Sequence, residues 1–374
     1  MKYSRRSILK AGTLAGTTLA VPAALGQNAA SSETVSPSAD GKLAITVAGY
    51  KYNHVRALID GRVKVEGCTT QHQPGKIGEL NTHVFSGPQS LEVTEIGLIP
   101  FVLAYANDGF RDYSLIPVFP LRTFRHKSIF VHTDRGIARP EDLKGRKVGT
   151  PGYSSTSLTW IRGMLSDEYG VKPEHIEWVV SADDSSAKDA GARSEQESVT
   201  PDGVSITEGP QGKDESDLLL DGDVDALFHA IEPRAYVEGH PKVKRLFADP
   251  RATEREYFSK MGIFPIMHAV AIRNDVIDAN PWLPEAVFSA YSRSKQMEYK
   301  VLQMEWVFGT LPWYGQELEE TRQVMGENFW PYGIELNRKT LNALLQYSYD
   351  QGLADKKLQI EDLFHPSTFD FAES

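Results

Sequence analysis

The strongest constraint on the fold is a repeated alternation of short β-rich runs with helix-patterned stretches between residues 43 and 230. Residues 43–48 (LAITVA), 91–96, 114–119 and 128–132 are β-rich, a further strand is expected at 62–66, and 100–106 continues as an apolar helix. Pro140 opens a short helix, where its missing N–H costs nothing, and Gly145 closes it. Residues 146–149 make a brief strand, and 150–156 (TPGYSST) form a loop. Leu158, Ile161 and Leu165 follow at helical spacing, so this Ser/Thr cluster sits at a helix N-terminus. Another helix ends at Gly222, and 224–230 reads as a strand. Such alternation predicts an α/β fold with a mostly parallel sheet.

Two segments share a pattern. Val118-Phe119-Pro120 runs to Arg125 and His126, and Ile263-Phe264-Pro265 runs to His268 and an alternating apolar strand. A chain of 374 residues has room for two lobes. The paired segments are natural crossings between them, with their histidines facing the cleft. Lobe one is expected over 42–121 plus 273–374, and lobe two over 122–272 including the hinge strands. Beyond residue 279 the chain reads as mainly helical, with Trp282, Trp306, Trp313 and Trp330 as core. Residues 181–216 are polar, acidic and short of apolar side chains, which predicts a poorly ordered surface insertion, part of it a candidate flap.

Ser4-Arg5-Arg6-Ser7-Ile8-Leu9-Lys10, ahead of an uncharged run to Leu25, resembles a twin-arginine export signal. Cleavage is expected near Gly26, giving a signal over 1–26 and a polar, disordered tether over 27–41. The apolar run is too short and too rich in Gly and Thr to span a bilayer. Lys2, Arg5, Arg6 and Lys10 are the only charges in the signal, so its loss takes the net charge from −10 to −14. That balance disfavours a nucleic-acid partner and offers no basic patch to anionic lipid. Cys68 is the only cysteine, so no intramolecular disulfide can form. The mature chain is expected to be periplasmic or secreted, without membrane insertion.

The loop at 149–156 has the elements of an anion site: free N–H groups at a helix start, the helix dipole and hydroxyls. Ser154, Ser155 and Thr156 would hold a carboxylate, phosphate or sulfonate, with Tyr153 stacking on a ring; ordinary serine capping is the competing reading. Arg125 suits bidentate pairing with a carboxylate, and His126 and His268 can carry or accept protons near neutrality. Structural ion pairing of Arg125 and carbonyl capping by either histidine are the alternatives. His54, His229 and Glu232 fall at predicted strand ends, where α/β sheets bind ligands. There is no G-x-S-x-G elbow, H-E-x-x-H, C-x-x-C, Walker loop or G-x-G-x-x-G, and the histidines lack zinc-like spacing. Neither a metal nor a cofactor is expected.

Leu58-Ile59-Asp60-Gly61-Arg62-Val63, Val118-Phe119-Pro120 with Phe124-Arg125-His126, residues 139–149 (RPEDLKGRKVG), Trp160-Ile161-Arg162-Gly163 and residues 263–268 (IFPIMH) together resemble the 4,5-dihydroxyphthalate decarboxylase family. That family is itself similar to type 2 periplasmic solute-binding proteins. The resemblance implies a two-lobed α/β fold of that type with a cleft between the lobes. Two functions follow from it. One is exported binding of a small anionic, aromatic carboxylate, with a membrane permease as candidate partner. The other is cofactor-free decarboxylation of a dihydroxylated aromatic acid, with His126 and His268 as acid and base. The export signal favours binding, which is the preferred reading at this level; the extent of the resemblance favours the decarboxylase.

Overall fold

The computed structural model describes residues 41–373. The expected signal, and all of the expected tether except Gly41, fall outside the described residues. Strands β1 (Leu43–Gly49), β2 (Cys68–Pro74), β3 (Val93–Gly97) and β4 (Tyr113–Ile116) are followed by β5 (Ile129–His132), β6 (Lys147–Thr150), β7 (Glu177–Val180) and β8 (Ile206–Glu208). β9 (Ala226–Phe228), β10 (Val243–Arg245) and β11 (His268–Arg273) come next.

These strands form two sheets. In the first, ordered β2-β1-β3-β11-β4, β1 is parallel to both neighbours and β11 is antiparallel to β3 and β4. The second is ordered β10-β5-β9-β6-β7-β8, parallel from β9 to β8, with β5 antiparallel to β9 and β10. β3 (VTEIG) is buried along its whole length, as a central strand covered on both faces is, and it takes Thr94 and Glu95 into the interior with it.

The chain leaves the first sheet after β4, builds the whole second sheet, and returns as β11. Outgoing and returning segments lie side by side. Thr123 N–H donates to the Pro265 carbonyl at 3.1 Å, and Met267 N–H to that of Leu121 at 2.8 Å. Arg122 fastens the crossing, donating to Asn337 Oδ1 at 2.7 Å and to the Phe264 carbonyl at 2.7 Å.

Among the described residues the longer helices are α1 (Ile77–Phe85), α2 (Leu98–Asn107), α3 (Thr156–Tyr169), α4 (Pro250–Met261), α5 (Leu283–Phe308), α6 (Tyr314–Met325) and α7 (Arg338–Asp350). α7 packs on both α2 and α3, so the C-terminal helices bridge structure built from either sheet. Ser155 caps α3 by accepting from Leu158 N–H, and Gly170 ends it at φ 61°, a left-handed turn that suits glycine.

Three expectations need correction. Residues 62–66 form no strand, although Val63 and Val65 are buried; Arg62 closes a turn on Asp60, and pairing begins at Cys68. Residues 181–216 are organised as short helices and β8, held by polar contacts rather than by apolar burial. Of the four tryptophans assigned to the core, only Trp330 is even half-buried there, donating to the Phe119 carbonyl at 2.8 Å. Trp282, Trp306 and Trp313 are exposed.

Candidate functional site

A cavity of about 490 Å³ opens where the carboxyl ends of the parallel strands converge. Tyr50 and Tyr52 follow β1, Gly97 ends β3, Pro151 and Gly152 follow β6, Asp184 and Ser186 follow β7, and Ala230 and Ile231 follow β9. The crossing segments add Arg125 and His268, and the start of α3 adds Ser155 and Thr156. Ligands of open α/β sheets bind at this end of the strands. A wider cleft of about 670 Å³, lined by Glu66, Trp282 and Arg293 among others, has no histidine in its lining.

Arg125 carries the most pointed electrostatics. It is 6% exposed, donates to the Ala230 carbonyl at 2.6 Å and to Met267 Sδ at 2.9 Å, and its Nε has no partner. Burial lowers its pKa to about 10, so it stays a cation at neutral pH. Among the described residues no carboxylate sits within ion-pair distance of it. Only Glu254, beyond contact distance, acts on its charge, and a buried charge so weakly compensated is costly unless something supplies a closer partner.

His268 lies one residue beyond that Met267 contact. Its Nδ1 is 2.5 Å from Glu95 Oε1, leaving Nε2 as the ring nitrogen free to serve the cavity that the ring lines. Glu95 is 2% exposed and also accepts from the Tyr52 hydroxyl at 2.7 Å and from Tyr50 N–H at 2.9 Å. A Cβ at Gly49 would stand 2.8 Å from Glu95 Oε2, so glycine is what lets this carboxylate reach the backbone beyond β1. Burial and the Glu95 charge push the Tyr52 phenol far up, keeping it a proton donor. Three donors converge on one buried carboxylate, and a histidine is one of them.

A second buried pair stands behind Arg125. Glu215 accepts from Ser181 Oγ at 2.8 Å and Ser185 Oγ at 2.7 Å, and lies 3.6 Å from His229 Nε2. Burial opposes both charges, but the contact wins: His229 is shifted up and Glu215 down to about 2. His229 Nδ1 bonds the Ile231 carbonyl at 2.7 Å, so the pair shapes the turn whose Ala230 carbonyl holds Arg125. Asp184 joins Glu215 and His229 in a group compact enough for a cation.

The insertion forms one wall of the cavity through Asp184, Ser186, Asp189, Arg193 and Glu197. Glu197 accepts from Ser194 N–H at 3.0 Å, and burial raises its pKa. At Gly78 on α1 a Cβ would stand 2.0 Å from the Ala192 carbonyl oxygen; only glycine allows the insertion to close against this helix.

Of the residues expected at the site, Arg125, Ser155, Thr156 and His268 line this cavity, and the others do not. Tyr153 is buried edge-to-face against Trp178 with the Arg162 guanidinium 3.9 Å from its ring, so it offers no stacking face. Ser154 turns away to donate to the Gln196 carbonyl at 2.7 Å. Ser155 spends its hydroxyl as the α3 cap, and Thr156 Oγ1 accepts from Ile99 N–H at 3.0 Å. His54 stacks on Tyr52 and lies tilted against Trp330, and Glu232 pairs with Arg245 at the surface. His126 follows Arg125 into a 3₁₀ turn, where consecutive side chains diverge; its ring packs on Phe247 and Tyr257. The expected cluster of Arg125 with two histidines therefore has only one histidine in the cavity. Glu95, Tyr52 and Glu197 were missed. Glu95 left only a faint signal, an acid within the strand expected at 91–96, where Glu92 is a second, and the other two left none.

Burial without a charged partner lowers His126 to about 4. The unfolded chain takes up that proton near pH 6.5 and the folded chain only near 4. Stability should therefore fall as pH drops through this window, by on the order of 3 kcal/mol from this residue. Chemical denaturation of the wild type and of His126→Gln at pH 7 and pH 4.5 checks it: the variant should lose distinctly less on acidification, and equal losses would refute the assignment.

Among the described residues no helix is long and apolar enough to cross a membrane. The family model "NMT1/THI5 like" matches residues 124–194. A 4,5-dihydroxyphthalate decarboxylase of Comamonas testosteroni is 34% identical over 331 residues, which is 88% of this chain and 98% of that protein. A protein of the same name from Pseudomonas putida is 30% identical over 217 residues, 58% of this chain and 82% of its own length. Among solved structures, the periplasmic sulfonate-binding protein SsuA of Methylobacillus flagellatus superposes with a TM-score of 0.52 at 15% identity, covering 87% of this chain and 92% of that one. At that identity the likeness is one of fold: the two-sheet architecture is that of periplasmic binding proteins.

Proposed function

The chain belongs to the 4,5-dihydroxyphthalate decarboxylase family, and on that premise we propose that it decarboxylates a hydroxylated aromatic carboxylate without a cofactor. The observation that carries this reading is the buried Glu95–His268 pair in the wall of a cavity that also holds a cation, Arg125, with no carboxylate partner. A binding site needs the cation. It does not need a histidine backed by a buried carboxylate, which is the arrangement that fixes a ring tautomer and delivers a proton from the other nitrogen.

The ring carbon bearing the carboxylate takes a proton from His268 Nε2 as the substrate hydroxyl gives one up to a lining carboxylate, with Asp184, Asp189 and Glu197 in reach of the cavity. The carbon–carbon bond then breaks. Its electron pair returns to the ring, CO2 leaves, and the phenolate is reprotonated, for a net uptake of one proton per turnover. Glu95 stabilises the imidazolium before transfer and orients its ring. A carboxylate firmly paired with a cation resists this loss, because the charge must leave it. Arg125 therefore suits a second carboxylate that stays on the ring, as in 4,5-dihydroxyphthalate, the compound in the two relatives' names.

The residues 4–10 pattern supports a second reading, exported capture of the same class of ligand for a permease. One experiment separates the two. Purified mature protein is incubated with phthalates and mono- and dihydroxylated benzoates, scoring thermal shift and CO2 together. CO2 release from a dihydroxylated aromatic acid is expected. A thermal shift with no CO2 from any acid would leave binding as the function.

A further inference from the structure

The hairpin of α5 and α6 ends in a large apolar surface. Met304, Trp306, Val307, Phe308, Leu311 and Trp313 are 57% to 75% exposed. Taking roughly 150–250 Å² per aromatic side chain, the patch presents on the order of 800 Å², above the ~300–600 Å² largest patch of a typical monomer and about what one partner gives to a stable interface. Nothing in the mechanism uses it.

The patch is built, not frayed. α5 buries Leu283, Val287 and Tyr291 against the body, then extends past it with Val301, Met304 and Phe308 at i, i+3 and i+7 on one face. α6 is fixed to α4 by Arg251 and Arg255, each paired with both Glu317 and Glu320. Gly315 brings α6 close beneath Trp306, whose Cδ1 would lie 2.5 Å from a Cβ there. A rigid hairpin thus holds an apolar stripe away from its own core.

We infer that this face is the self-association surface of the chain, covered by the same face of a second copy across a two-fold axis. A stripe with 3-4 spacing on one helix is self-complementary when the helix meets its own image, and a two-fold interface needs only one such patch. Charge argues against a membrane as the occupant. The chain carries −10 overall, and Glu298 and Glu305 share α5 with the apolar residues, with Lys300 the only base between them, a balance that does not draw an anionic lipid surface. Glu317 and Glu320 are already neutralised within the chain, so they add little repulsion between copies.

Light scattering on the eluting mature chain at ~10 µM tests this. The expected mass is twice that of one chain. Phe308→Glu with Trp313→Glu should elute as a single chain, with self-association weakened at least ~100-fold and an unchanged circular dichroism spectrum. Phe308→Cys gives a readout that does not depend on tolerating a charge: the native Cys68 is buried, so oxidation should yield a covalent dimer through the new thiol. A wild type of single-chain mass, together with a Phe308→Cys variant that does not cross-link, would overturn the inference. So would a monomer that floats with phosphatidylcholine vesicles, which would assign the patch to lipid.

Discussion

His268→Asn should lower kcat for decarboxylation by about 10²–10⁴-fold, the usual loss when a positioned general acid is removed, while KM changes little. Asparagine can still donate an N–H toward Glu95, so the buried carboxylate keeps a partner and the fold should stand. Glu95→Gln tests the same pair from behind. The amide oxygen can still accept from Tyr52 or Tyr50, yet the charge that stabilises a protonated His268 is gone. Its kcat should fall by at least about 10²-fold. Tyr52→Phe removes a single donor and should cost far less. Measured CO2 release decides it: wild-type turnover by His268→Asn would remove the histidine from the chemistry, and an effect confined to KM would make it a binding group.

The reading of the fold from sequence succeeded where burial writes a pattern. Central strands covered on both faces produce apolar runs such as 129–131 (IFV), and the Pro140–Gly149 unit carries its own start and stop residues. Arg125 and His268 were legible because each follows a Phe-Pro crossing segment. The network around Glu95 was not. Its partners Tyr52 and His268 are 43 and 173 residues away in the chain, and only the sheet order β1-β3-β11 brings them together. Neighbouring residues also misled: Arg125 enters the cavity while His126 enters the core, a divergence set by one 3₁₀ turn. The insertion at 181–216 failed for a different reason. Its order rests on hydrogen bonds such as Ser185 to Glu215 and on the approach of Ala192 to Gly78, neither of which raises its hydropathy.

Arg125→Met should separate function from stability. Affinity for an aromatic dicarboxylate should drop by about 1.5–3 kcal/mol, or roughly 10- to 150-fold, the range for a hydrogen bond to a charged group. The same change should leave the melting temperature unchanged or raise it. The guanidinium is buried with no carboxylate in contact and only the more distant Glu254 acting on its charge, and replacing so weakly compensated a buried charge by an apolar side chain of similar length removes a desolvation penalty. A structural arginine behaves in the opposite way: losing the bonds to Ala230 and Met267 would then lower stability, with affinity following only because the fold had loosened. Arg125→Lys refines the test. It keeps the charge but cannot hold the Ala230 carbonyl and a planar carboxylate at once, so it should recover only part of the affinity. Calorimetric titration and thermal unfolding on the three proteins read both axes. Loss of affinity at undiminished stability is the signature of a cation kept for its ligand, and a parallel fall in both would return Arg125 to the scaffold.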